Sequence, residues 1–105
     1  MIDSLSSEDL IDGQVEKALG GSTYDSHIVP RPTYDGDKMD VHSDFVVLWK
    51  RPSKTPGEQK WGTHRGCIRF DKERDAFRAV LFWGHYGMTV KTALQDFAAR
   101  KGSIR

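Results

Sequence analysis

The sequence predicts a small α+β protein: an N-terminal helix, an antiparallel sheet of three or possibly four strands, and one or two C-terminal helices. Three observations carry this. Apolar residues recur at helical spacing near both ends of the chain. Phe45-Val46-Val47-Leu48-Trp49 is a continuous β-branched and aromatic run. Proline- and glycine-containing segments separate these blocks. With 105 residues, the chain is expected to form a single compact domain over residues 1–105.

Residues 6–19 read as a helix, with Leu10, Ile11, Val15, Ala18 and Leu19 on one side. Ser6 or Ser7 supplies the cap, Glu8 and Asp9 suit the positive helix end, and Gly20-Gly21 stop it. Residues 22–31 read as a strand ending at Pro30 and Pro32, and Tyr34-Asp35-Gly36-Asp37 is turn chemistry. The run at 43–50 predicts a strand buried on both faces. The chain returns at 60–70 after a Pro/Gly segment, so 49–69 reads as a hairpin with a long basic loop.

Residues 72–86 admit two readings. Asp71 can cap a helix in which Phe77, Val80 and Leu81 face the core, which the length and alanines favour. Alternatively, Lys72-Glu73-Arg74-Asp75 is the turn of a second hairpin, with Phe77, Ala79, Leu81 and Trp83 alternating. Gly87 offers a left-handed stop. Thr89 then caps a helix at 90–101, with Val90, Ala93, Leu94, Phe97 and Ala98 as its apolar face and Gly102 closing it.

Composition excludes several classes. Charged residues make up 30% and hydrophobic residues 37%, and no apolar run approaches the roughly 20 residues of a membrane span. No membrane partner and no secretory leader are therefore expected. A single cysteine, Cys67, forms no internal disulfide and reads as a buried structural thiol, which points to a cytoplasmic, reducing setting. The net charge of +1 hides an uneven spread. Residues 1–44 carry ten of the fifteen acids and three of the sixteen bases, a net −7, while residues 45–105 carry +8. Such asymmetry points to an electrostatic partner or to mutual attraction between the halves.

Two candidate surfaces follow. Lys50, Arg51, Lys54, Lys60, Arg65 and Arg69 cluster in the hairpin against Glu58 alone, interleaved with Trp49, Trp61 and His64. Cations can displace the counterions of phosphates and flat rings can stack on unpaired bases, so this pattern suits nucleic acid. The second surface is Phe82, Trp83 and Tyr86, read as an aromatic patch on the 72–86 helix of the kind on which protein interfaces are centred. That patch would also serve a homodimer.

The remaining motifs are weaker. Asp40, His42 and Asp44 share one strand face, but a solvated polar face accounts for them and no metal or other cofactor is expected. His42, His64 and His85 could form a small His-dependent ribonuclease only if the fold gathers them. No Ser–His–Asp spacing and no phosphate-binding glycine loop are present, so no catalytic residue is assigned. The leading expectation is a small non-enzymatic binding protein that occludes or modulates a larger protein or nucleoprotein. Phages and mobile elements use chains of this size in that way, as inhibitors of host machinery. Direct nucleic-acid binding through the 49–69 hairpin is the alternative.

Overall fold

The computed structural model describes residues 6–30, 41–52 and 60–104. Helix α1 spans Ser7–Leu19. The Ser6 hydroxyl oxygen accepts from the Asp9 amide at 3.1 Å, and Gly20, at φ 64°, donates its N–H to the Glu16 carbonyl. The left-handed stop thus falls on a residue with no Cβ to resist it. Strands β1 (Ser22–Pro30), β2 (Val41–Lys50), β3 (Trp61–Asp71) and β4 (Ala76–Met88) form one antiparallel sheet in chain order, and helix α2 spans Val90–Lys101. The Tyr34–Asp37 turn, Asp40 and Lys54 lie outside the described residues.

Residues 72–86 are not a helix; the hairpin reading is the one found. Asp71 caps a turn, its Oδ1 accepting from the amides of Glu73 and Arg74 at 3.1 and 3.4 Å. Asp75 completes the turn at φ 51°. Helix propensities differ by only tenths of a kcal/mol per residue. Pairing with β3 satisfies the inner row of β4 backbone groups and places Ala79 and Leu81 on the core, and this burial outweighs that preference. Phe77, expected inside, is exposed and instead meets the rings of Phe70 and His42 edge-on.

The two helices lie on opposite faces of the sheet. Ile11 and Val15 of α1 pack with Phe45, Val47, Trp49, Ile68 and Ala79. Ala93 and Phe97 of α2 pack with Val46, Leu48 and Ile104. Successive residues of β2 therefore feed different cores, and this is why Phe45 to Trp49 carries no polar position. A side chain at Gly66 would collide with the Phe45 ring that crosses it. Thr89 caps α2 by accepting from the Thr92 amide at 3.2 Å. The apolar stripe of α2 is narrower than its sequence predicts: Val90, Leu94 and Ala98 face outward, and Gly102 closes the helix in a right-handed conformation.

Candidate functional site

The outer strand β4 loses regular pairing over residues 82–88. Thr63 pairs with His85 but Arg65 pairs with Phe82, and Trp61 pairs with Met88. Each step of two residues on β3 faces a step of three on β4, so two bulges follow one another. The first holds Trp83 at φ 51° and the second Gly87 at φ 66°. A bulky residue in the left-handed region costs about 1–3 kcal/mol, and such strain persists only where surrounding contacts impose it. Those contacts come from α2 and β3. Arg100 donates from Nη1 to the Trp83 carbonyl, and the Arg65 guanidinium lies over the Trp83 indole at 5.1 Å. Phe82 meets the same indole edge-on at 4.9 Å. The Trp83 side of the arrangement remains 65% exposed.

A polar cluster sits beside this bulge on the α2 side. His85 Nδ1–H donates to Asp96 Oδ2 at 2.8 Å, and its Nε2 accepts from Arg100 Nη2 at 2.6 Å. The Thr63 hydroxyl donates to the same Asp96 oxygen, and Arg100 Nε stands 3.5 Å from it. Burial alone would raise the Asp96 carboxyl. The hydrogen bonds from Thr63 and His85, with the charge of Arg100, outweigh it and hold the group below its ordinary value. Arg100 is tied on every side, so it fixes the bulge rather than offering a free cation. Arg65 Nε is buried with no hydrogen-bond partner among the described residues, so this guanidinium is held by stacking.

The opposite face carries a chain of rings that runs from the buried Trp49 and His64 to the exposed Tyr86. Trp49 Nε1–H donates to His64 Nδ1 at 2.9 Å, and His64 Nε2 lies 2.7 Å from the Tyr86 hydroxyl. An indole N–H can only donate, so the His64 proton resides on Nε2 and donates to Tyr86. The Tyr86 O–H is left to donate elsewhere. Burial, then the charges of Arg100, His85 and Arg51, lower the His64 pKa from 6.5 to about 4. A side chain at Gly84 would strike both the His64 ring and the Tyr86 hydroxyl, and one at Gly62 would strike Trp49.

The aromatic patch predicted from Phe82, Trp83 and Tyr86 is therefore divided. Trp83 meets Arg65 on the α2 side, Tyr86 meets Trp49 and His64 on the α1 side, and Phe82 is half-buried between its neighbours. The bulges split a set that a regular helix would have kept together. The basic hairpin is likewise redistributed. Lys50 lies over the Trp61 ring at 5.6 Å, Tyr24 meets Trp61 edge-on, and Arg51 lies over Trp49 at 5.1 Å. The Arg51 amide donates to the Lys60 carbonyl at 3.0 Å, closing the base of the loop. Trp61 is only half-buried, whereas His64 is enclosed.

His42 lies at the far end of the sheet, beside Phe77 and hydrogen-bonded to Ser43, so the three histidines do not converge. No group of three metal-ligating side chains occurs among the described residues. The sequence does not mark Thr63 or Asp96, and it marks Arg100 only as a cation suited to the C-terminal end of the 90–101 helix. One signal was present: Asp96 and Arg100 stand four apart on one helix, the spacing of an ion pair. Their joint approach to His85 depends on the bulge, which leaves no pattern in the chain. Comparison with protein-family models, with curated proteins and with solved structures gives no match.

Proposed function

We propose that this chain is a binding protein that docks through Trp83 and Arg65 onto a larger protein or nucleoprotein and occludes the surface it covers. The observation that supports this reading is the exposed Trp83 indole, held on a strained bulge by Arg100 and stacked on Arg65. Tryptophan and arginine dominate the energetics of interfaces. A ring fixed in advance loses little freedom on docking. A cation–π pair is worth about 0.5–1 kcal/mol in water and about 2 when desolvated, so covering this pair strengthens it. The test is capture by the immobilised full chain from the cells it comes from, followed by affinity measurement on the retained partner. Trp83→Ala should weaken that complex roughly 30-fold or more, the scale of a hot-spot truncation. Unchanged affinity would move the interface elsewhere.

Direct nucleic-acid binding is the second reading, favoured by Lys50 and Arg51 standing over the Trp61 and Trp49 rings. It requires log affinity for a labelled random single strand to fall with log salt at about −0.7 per phosphate neutralised. Absence of binding at low salt removes it.

A further inference from the structure

Helix α2 begins just after Met88, and Arg100 in its last turn reaches the Trp83 carbonyl. The same face of the sheet continues from Trp83 to the β3–β4 turn at 72–75. Strand residues two apart share a face, so Arg65, Arg69 and Asp71 of β3 lie there. Their β4 partners Phe82, Arg78 and Ala76 lie there with them. Arg74 joins from the turn, approaching the Asp71 oxygen that Arg78 also approaches, at 3.9 and 3.8 Å. At a rise of about 3.3 Å per residue, Arg65 and Arg69 stand about 13 Å apart along the strand. A row of arginines thus leads from the exposed Trp83 indole to a cavity of about 480 Å³ at the turn. Arg69, Lys72, Arg74 and Arg78 line that cavity against Asp71 and Glu73.

These charges are not balanced within the face. Arg78 stands directly across the strand pair from Arg69, and like charges so placed repel. Arg74 and Arg78 share one Asp71 oxygen at distances longer than a charge-assisted hydrogen bond. The other Asp71 oxygen is engaged by the turn amides. Neither Arg65 nor Arg69 makes an ion pair among the described residues. Asp44, opposite Cys67 on β2, shares the face and is itself engaged. The Arg74 and Arg78 side chains are 78% and 53% exposed, so an anionic partner can reach them.

We propose that this face binds single-stranded nucleic acid, its phosphates on Arg65, Arg69, Arg74 and Arg78 and an unpaired base on the Trp83 ring. The proposal rests on the docking surface at Trp83 and Arg65, and it names the nucleic acid of a nucleoprotein as what that surface meets. A guanidinium matches two oxygens of one phosphate, and a flat exposed ring stacks on a base of any identity. Cations in a row with such a ring at its head are what a single strand requires. Within a duplex the base faces are already stacked, which leaves Trp83 without a partner.

The test is fluorescence anisotropy of the full chain with labelled random single strands, one of DNA and one of RNA, over a salt series. Binding of either supports the proposal, and the tighter one names the sugar. Log affinity should fall with log salt at about −0.7 per phosphate contact, so Arg69→Gln with Arg78→Gln should make the slope shallower by about 1.4. Lys50→Gln with Arg51→Gln removes equal charge at the other end of the sheet and should change the slope less than half as much. Trp83→Ala should weaken binding about fivefold or more at unchanged slope, and Trp83→Phe should restore most of the loss. Circular dichroism of each variant establishes that it is folded. Absence of binding at low salt, or equal slope changes in the two charge-removing variants, overturns the proposal. A captured protein partner that Trp83→Ala weakens, with no oligonucleotide bound, overturns it and leaves the docking reading standing.

Discussion

His64 shows how one side chain can tie the stability of the molecule to pH. Its ring is enclosed between Trp49 and Tyr86, with Nδ1 committed as an acceptor. Charging it would bring a proton to the nitrogen that the indole N–H already faces. Burial and nearby cations thus lower its pKa to about 4, against 6.5 in the unfolded chain. Between those values the unfolded state binds the proton and the folded state does not, so stability rises with pH across the window. The contribution is fully present above pH 6.5 and is lost as pH falls toward 4, by about 3 kcal/mol at 1.36 kcal/mol per pKa unit. Denaturant midpoints measured from pH 7 to 4 should fall progressively through that range. A flat profile to pH 4 with loss only below it would assign acid sensitivity to carboxylates such as Asp96, whose lowered value places its loss at more acid pH.

Among the elements, α2 separates what periodicity reveals from what it does not. Its sequence presents Val90, Ala93, Leu94, Phe97 and Ala98 as equivalent, yet Phe97 is 3% exposed and Leu94 is 44% exposed. Phe97→Ala should cost about 3–5 kcal/mol by leaving a cavity against Val46 and Leu48. Leu94→Ala should change stability by no more than about 0.5 kcal/mol, as surface substitutions do. Equal losses in chemical denaturation would contradict the packing described. The caps of α1 and α2 and the doubly buried β2 were legible because each depends on neighbours in sequence. β4 was only half legible. Its alternation from Phe77 to Leu81 is strand-like, but the bulges at Trp83 and Gly87 break the period of two where the site begins. Which side Trp83 and Tyr86 would occupy was beyond any local pattern, since one inserted residue sends every later side chain to the other face.

At the scale of the whole molecule, β2 is covered by a helix on each face and by a strand on each side. Opening its hydrogen bonds requires most of the fold to come apart. Amide exchange should therefore be slowest at Val46, Val47 and Leu48, and fastest within the sheet over Phe82 to Gly87. Faster exchange in β2 than in β4 would refute this hierarchy. The same irregularity has a further meaning when many copies crowd together. A straight outer strand offers a row of amides and carbonyls on which a second copy can zip. The outer rim of β4 is thrown out of step twice, and β1 has a register shift at Tyr24 and ends at Pro30, which has no N–H. Neither rim is regular along its whole length; the unbroken stretches are Ala76 to Phe82 of β4 and Asp25 to Pro30 of β1. A neighbouring copy adding a strand is therefore confined to those short stretches and finds no template along the full margin of the sheet.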